Sequence, residues 1–393
     1  MKANSICRSC GGPAITVFYE LKGIPVHSVL LMPTREVAVT YPKGDIALAF
    51  CRDCGFIFNT AFRPERQDYS ASYEGTQAFS STFTEYARGL ATRLIDRYDL
   101  RGKAIMEIGC GKGEFLSMLC EPGGNRGVGF DPAYGEGRNE GQAWGRITVI
   151  PDYYSEKYSV YIGDFICCRM TLEHIQDVGE FLRGLRRAIG ERSETTVFFQ
   201  VPDVGRVLRE HAFWDLYYEH CSYFSIGSLA RLFRSVGFDI LDLSIDYGGQ
   251  YLTIEARPGN GRRSRRMPEE DDLPDLAHDV ARFSETIGRG LDAWKQRLQG
   301  ITHHGRRAVL WGSGSKGVAF LTTLNIREEI EYVIDINPYR QGTYMPGTGQ
   351  RIMGPEFLRD YQPDVVIVMN SIYREEIQQD LRLRGLTSEL VTV

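Results

Sequence analysis

Two Cys-x-x-Cys pairs open the chain, Cys7/Cys10 and Cys51/Cys54, with 40 residues between them. Thiolates at that spacing suit a zinc ion, and four of them close its tetrahedral shell, so the expected ion is structural. Gly11 and Gly55 follow the pairs and suit tight knuckles whose backbone N–H groups point at the sulfurs. A thioredoxin-like redox pair is the rival reading, and it leaves the second Cys-x-x-Cys without a role. The other cysteines, Cys110, Cys120, Cys167, Cys168 and Cys221, are scattered and read as small core hydrophobes.

Two glycine-rich turns carry a second chemistry. Glu107-Ile-Gly109-Cys110-Gly111-Lys-Gly113 follows an apolar run and precedes a helical pattern. Glycines there let the backbone turn sharply and approach a ligand, and the helix N-terminus offers free N–H groups. The next apolar run ends at Asp131, 18 residues after Gly113, where a carboxylate can hold both hydroxyls of a ribose. Asp152, after the third run, is placed to meet an adenine amino group. The second turn, Gly312-x-Gly314-x-x-Gly317, matches the dinucleotide fingerprint, with Asp335 23 residues after Gly312. Alone it reads as an NAD-dependent enzyme, although the segment is about half a full dinucleotide fold and shows no hydride-transfer acid. Lys316 places a positive charge where Gly314 and Gly317 allow close backbone approach to phosphate.

The elements that must hold these groups follow from periodicity. Apolar positions Phe83, Tyr86, Leu90, Leu94 and Tyr98 predict a helix over 80–97. Apolar runs at 104–108, 127–130, 148–150, 165–168 and 196–201 alternate with helical stretches, the signature of a parallel, doubly wound sheet. Runs at 238–245 and 250–256 flank Asp246-Tyr-Gly-Gly249 and read as an antiparallel hairpin finishing that sheet. Basic residues 262–266 then give way to acidic 269–272, a solvated linker. Leu276, Val280, Phe283, Ile287, Leu291, Trp294 and Leu298 predict one long amphipathic helix, bridging two domains or forming a dimer seam. A second βα unit starts near Arg306, with strands at 308–311, 332–335 and 365–369.

At 393 residues the chain exceeds one ordinary core. A hydrophobic fraction of 42% and a charged fraction of 25% are those of a soluble globular protein. A net charge of −5 gives no footprint for nucleic acid. No apolar run approaches the ~18–20 residues of a membrane helix, and residues 1–10 lack a signal-peptide core. A cytoplasmic protein with neither nucleic-acid nor membrane partners is expected.

The first turn resembles motif I of class I methyltransferases, which implies S-adenosylmethionine as cofactor, with Glu107 at its methionine end and Gly109, Cys110, Gly111 and Gly113 packing against it. The whole order resembles the three-domain C-methyltransferases that act on nucleotide-linked deoxysugars. The residues carrying this are the cysteine pairs, Glu107–Gly113, Leu172-Glu-His174-Ile, Val201-Pro202, Tyr217-Tyr-Glu-His220-Cys-Ser-Tyr223, Gly248-Gly249, the second glycine turn and Asn337-Pro-Tyr-Arg-Gln-Gly342-Thr-Tyr-Met-Pro-Gly347. The resemblance implies an α/β protein: an N-terminal zinc-binding domain (1–62), a Rossmann-like methyltransferase domain (63–257), a linker and helix (258–300) and a C-terminal Rossmann-like substrate-binding domain (301–393).

It also implies the chemistry. Methylating carbon requires removing a proton beside a carbonyl, hence a base and an enolate stabiliser. Those duties fall on Tyr217, Glu219 and His220, completed by His174 and Tyr73, with His220 as base. The substrate side takes Gly249, Gly314, Lys316, Tyr339 and Gln341. Tyr218 stands where many members carry histidine. An O- or N-methyltransferase of a related small molecule is the alternative.

Overall fold

The computed structural model describes residues 6–67, 69–70, 72–135, 145–259 and 265–393. Asp68 of the tyrosine-rich connection and residues 260–264 of the linker lie outside the described residues.

The chain begins with β1 (Ile15–Pro25), α1 (Arg35–Thr40), β2 (Lys43–Cys51) and β3 (Ile57–Asn59). Its middle supplies α2 (Ser81–Tyr98), β4 (Ala104–Ile108), α3 (Glu114–Gly123), β5 (Arg126–Phe130), β6 (Ile147–Ile150) and β7 (Phe165–Arg169). There follow α4 (Val178–Ile189), β8 (Thr196–Pro202), α5 (Val204–Glu210), β9 (Ser222–Tyr223), α6 (Ile226–Ser235), β10 (Phe238–Asp246) and β11 (Tyr251–Pro258). The long α7 (Leu273–His303) leads to β12 (Ala308–Trp311), α8 (Ser315–Leu324), β13 (Tyr332–Ile334), β14 (Arg351–Met353), α9 (Leu358–Tyr361), β15 (Val365–Val368), α10 (Arg374–Leu383) and β16 (Glu389–Thr392).

Three sheets result. The central one runs β10-β11-β8-β7-β4-β5-β6, parallel from β8 to β6, with β11 antiparallel to both of its neighbours. This is the doubly wound sheet and closing hairpin that the apolar runs predict. All five residues of β7 are buried, and they alternate between two cores as strand geometry requires. Phe165 and Cys167 face Leu94, Leu116 and Leu119 of α2 and α3. Ile166 and Cys168 face Leu182, Leu185, Leu229 and Phe233 of α4 and α6. The C-terminal sheet, β14-β13-β12-β15-β16, is parallel throughout.

The N-terminal sheet, β1-β2-β3-β9, takes its last strand from far along the chain. Ile57 and Phe58 pair with Tyr223 and Ser222, and the Asn59 N–H donates to the Cys221 carbonyl at 2.9 Å. The stretch just after His220 is therefore part of this sheet.

Helix α7 lays its predicted stripe on the chain itself. Leu276, Val280, Phe283, Ile287 and Leu298 are buried in one cluster with Tyr19 of β1, Val207 of α5 and Phe320 and Leu321 of α8. Tyr19 and Phe283 meet at 5.5 Å and Trp294 and Phe320 at 5.2 Å, both edge to face. Each such fully buried side chain contributes roughly 1.5–3 kcal/mol, so the stripe ties the N-terminal and C-terminal sheets to α5, with Leu291 and Trp294 half-buried at its far end.

Tyr218 is a packing residue. It is 1% exposed, and its hydroxyl accepts the Arg63 N–H at 2.9 Å. Phe62 lies 5.3 Å from its ring. A methyl group on Gly44 would fall 2.2 Å from its Cε2, so only glycine fits beneath it. Tyr218→Ala should lower stability by about 3–5 kcal/mol, the range for an emptied aromatic site, and Tyr218→Phe by only about 1 kcal/mol. Thermal denaturation of the two variants checks the order; equal losses would contradict it.

Candidate active site

One cavity of about 780 Å³ opens between the central and C-terminal sheets. Its wall is built from residues following β4, β5 and β7 on one side and β12, β13 and β15 on the other. Carboxyl ends of parallel strands, where successive connections diverge, are the usual ligand positions of such folds.

On the central side the first glycine turn bends back from β4. Gly109 and Gly111 have φ of +70° and +55°. A Cβ on Gly109 would fall 1.9 Å from Thr171 Oγ1, whereas one on Gly111 would meet nothing within 4 Å. The first glycine is thus a packing requirement and the second leaves the cavity open. Glu107 is buried, and its Oε2 has no hydrogen-bond partner. Burial pushes its carboxyl up to about 8, against the pull of Arg169. Arg169 Nη2 is likewise buried and unpartnered. Asp131 accepts the Gly111 and Ala133 N–H groups, each at 2.8 Å. Asp152 sits at the rim, held by Lys157 at 2.7 Å and Tyr158 at 2.6 Å. A buried donor and acceptor left open beside a glycine cradle fit a ligand carrying amino, carboxylate and ribose groups. Gly113, the residue before α3, does not reach the cavity wall.

Deeper in stand the histidines. His174 ends a tight turn after β7, and the Tyr69 hydroxyl bonds its Nδ1 at 2.9 Å. The His174 and His220 rings are 4.8 Å apart and edge to face, and Tyr217 lies 4.0 Å from His220. Burial holds His220 well below its usual value, helped by His174 and Lys316. Glu173 Oε1 lies 4.0 Å from His220 Nε2, and burial pushes this carboxyl up to about 8. Burial therefore favours the neutral forms here, an uncharged imidazole beside tyrosines whose hydroxyls it keeps protonated. Tyr73 lines the same space. Tyr69, which the sequence reading passed over, makes the direct contact with His174; only folding distinguishes it from Tyr73.

Glu219 is not in the cavity wall. Its carboxylate turns away toward His27 and Ser28, which corrects its assignment as a group meeting substrate.

On the far side, Gly312, Gly314, Ser315, Lys316 and Gly317 line the cavity. Lys316 Nζ is 2.7 Å from Asp215 Oδ1, and Arg206 pairs with the same carboxylate. Burial pushes Asp215 up, but these two cations outweigh it and hold it below the usual range. Lys316 thus shares its charge with Asp215, which the sequence did not foresee. Asn337 and Arg340 also face the cavity.

Three expected substrate residues are not brought there. Gly249 lies in the β10–β11 turn with φ +84°. Tyr339 is 46% exposed and packs at 6.0 Å on Phe79. Gln341 donates to the Asp335 carbonyl at 3.0 Å.

Apart from the cavity, Cys7, Cys10, Cys51 and Cys54 place their sulfurs within 4.8 Å of one another. Cys7 and Cys54 are 3.6 Å apart and Cys10 and Cys51 3.7 Å. Zinc–sulfur bonds of about 2.3 Å give a tetrahedral edge of about 3.8 Å, so the four fit zinc. The two knuckles fold alike, with Gly11 N–H on the Cys7 carbonyl and Gly55 N–H on the Cys51 carbonyl, each at 2.8 Å. Cys110, Cys120, Cys167, Cys168 and Cys221 are all buried.

Two sequence families match the chain. One described as a methyltransferase domain covers residues 82–243, and a C-methyltransferase C-terminal domain covers residues 264–392. C-methyltransferase NovU of Streptomyces niveus is 25% identical over 391 residues, spanning 94% of this chain and 90% of its own. The magnesium protoporphyrin IX methyltransferase of Synechocystis PCC 6803 with bound S-adenosylhomocysteine is 13% identical, covering 45% of this chain and 84% of its own, with a TM-score of 0.36. The 1,6-didemethyltoxoflavin-N1-methyltransferase of Burkholderia thailandensis is 17% identical, covering 46% and 82%, with a TM-score of 0.33. Neither structure is similar enough to bear on the site. No helix among the described residues is long and apolar enough to cross a membrane.

The cysteine cluster makes a direct prediction. Purified protein should carry one zinc per chain, and stripping it under strong chelation should unfold the N-terminal sheet and lower the melting temperature. Metal analysis that finds no zinc, with all four thiols reactive in native protein, would contradict it.

Proposed function

We propose, from the premise that this chain belongs to the S-adenosylmethionine-dependent C-methyltransferases, that its substrate is a keto sugar linked to a nucleotide and that the methyl group goes to the carbon beside the keto group. The observation that carries this reading is that both glycine turns line one cavity. It is lined by the first glycine turn, by Tyr217 and His220 and by the second glycine turn, so a donor at one end and a nucleotide at the other would share it. The C-terminal turn, within the region matched by a C-methyltransferase family, then serves the substrate's nucleotide.

S-adenosylmethionine, when bound, supplies a methyl group on a sulfonium, electrophilic toward an enolate carbon. Glu107 takes its amino end, the Gly109–Gly111 backbone its chain, Asp131 the ribose hydroxyls and Asp152 the adenine edge. His220 removes the proton from the substrate carbon, leaving the electron pair to spread onto the carbonyl oxygen as an enolate. Tyr217, kept protonated by burial, donates a hydrogen bond to that oxygen, and His174 and Tyr73 orient the sugar. A general base of this kind contributes typically ~10²–10⁴ in rate. The backbone at Gly314 and the Lys316 charge meet the diphosphate.

His220→Ala should therefore retain S-adenosylhomocysteine binding while turnover falls by about 10²–10⁴. Exchange of the acidic substrate proton with heavy water, followed without a methyl donor, should fall equally. Parental exchange in that variant would move the base to another residue. A true substrate with no acidic C–H would favour O- or N-methylation instead.

The pH profile carries a sign. The base must be unprotonated, and the lowered His220 value means that acid disables it only below pH ~6.5, the value of a free imidazole. His174, Lys316 and Glu173 face it. The acid limb of kcat/KM should lie below pH 6.5; a limb at or above 6.5 would contradict a buried neutral base.

Asp131→Ala should weaken S-adenosylhomocysteine binding at least tenfold in calorimetry, for the loss of charge-assisted bonds of about 1.5–3 kcal/mol each. In the same instrument a nucleoside diphosphate should bind and NAD should not; tight NAD binding alone would restore the dehydrogenase reading.

A further inference from the structure

The buried partners of Glu219 come from a part of the chain that no motif marks. His27 Nδ1 lies 3.1 Å from Glu219 Oε1, and the Ser28 N–H donates to Oε2 at 2.8 Å. The Ser28 hydroxyl bonds the same oxygen. His27, Ser28 and Glu219 are 0%, 3% and 1% exposed. Burial alone would push Glu219 up, yet its bond from His27 leads the effects that hold it below the usual carboxylate range. A buried carboxylate with three such donors has one orientation, because losing any of them leaves an unpaired charge.

Glu219 directly precedes His220. On the other side, the Cys221 N–H donates to the Glu173 carbonyl at 3.0 Å, and the Cys221 carbonyl accepts the Asn59 N–H at 2.9 Å. The His220 imidazole is thus carried between two anchored residues. The chain of contacts also continues outward. Ser28 Oγ and Ser315 Oγ are hydrogen-bonded at 2.7 Å, and Ser315 is the first residue of α8 and lines the cavity at the second glycine turn.

We propose that His27 and Ser28 are positioning residues for proton abstraction. They hold Glu219, and through it His220. Ser28 ties that hold to Ser315, so the base and the turn that takes the substrate's nucleotide are kept in register by one chain of hydrogen bonds. This rests on the reading of His220 as base, and it gives the segment between β1 and α1 a part in catalysis separate from the cysteine cluster.

The test is solvent deuterium exchange into a nucleoside diphosphate 4-keto-6-deoxyhexose at saturation without methyl donor. Zinc content, melting temperature and S-adenosylhomocysteine affinity are measured on the same samples. Ser28→Ala keeps the backbone N–H and removes both hydroxyl contacts. Its exchange rate should drop at least tenfold with cofactor affinity unchanged, and Ser28→Thr, which restores a hydroxyl, should recover most of the loss. Ser315→Ala should slow exchange at saturation as well, and the double variant should be no slower than Ser28→Ala, because contacts in one chain are not additive. Parental exchange in Ser28→Ala overturns the proposal, as do multiplying effects in the double variant. Should Ser28→Ala fail to fold, Ser315→Ala decides: a change in KM alone, with exchange at saturation intact, overturns it. Parental exchange in His220→Ala would instead sink the base assignment, so the two failures are told apart.

Discussion

A carboxylate that stays ionised out of water must find donors or cations, and Asp215 and Glu219 are each held by a group more than 100 residues away along the chain. Asp215 is held by Arg206 of α5 and Lys316 of α8. Glu219 is held by His27 and Ser28. Both acids sit in the short stretch between α5 and β9, which otherwise has little regular structure of its own. That stretch is therefore fixed by these charges together with the buried packing of Phe213, Leu216 and Tyr218, and Tyr217 and His220 inherit its position. Strand β9 closes the arrangement by joining the N-terminal sheet. Few loops carrying reactive groups can be rigid without such anchoring, because loop backbone retains entropy that only specific contacts remove.

The same burial divides the cavity by charge. Around His220 it favours neutral forms, lowering the imidazole and raising Glu173 to about 8. Toward the second glycine turn ionic pairs persist, because Asp215 compensates Lys316 and Arg206. A buried imidazole is unprotonated at neutral pH but is also a weaker base than a free one. The proposed proton removal from carbon would then depend on stabilising the enolate, for which protonated tyrosines in a low-dielectric space are suited. In the proposed reaction the neutral end would meet the reacting carbon and the ionic end the substrate's phosphates.

What could be read from the sequence was what spacing encodes. The cysteine pairs, both glycine turns, the strands of the central sheet and the stripe of α7 are local patterns, and they appear within a residue or two of the expected places. The short β14 (Arg-Ile-Met) and β16 (Glu-Leu-Val-Thr) mix charged and polar residues with their apolar ones and show no apolar run, and β9 has two residues. His27, Ser28, Tyr69, Arg206 and Asp215 were illegible for another reason. Each gains its meaning from a partner more than 100 residues away or on another element, or from sharing a buried ion pair, and no period links such residues.

The Asn337–Gly347 segment separates recognising a motif from knowing which of its members faces a ligand. Asn337 donates its N–H to Asp335 Oδ1 at 2.8 Å and accepts the Tyr339 N–H at 3.0 Å on its own side chain, an Asx-type turn. That turn throws Tyr339 outward. It folds Arg340 inward, where the guanidinium meets the Glu74 carbonyl and approaches Ser313 Oγ at 3.4 Å. Gln341 then closes the turn on the Asp335 carbonyl. Helices and strands announce their buried face by a repeat, but a tight turn has none, so adjacent residues can point in opposite directions without any trace in the sequence. The segment's contribution to the cavity is accordingly Asn337 and Arg340, and the residues between and after them are the scaffold that aims those two.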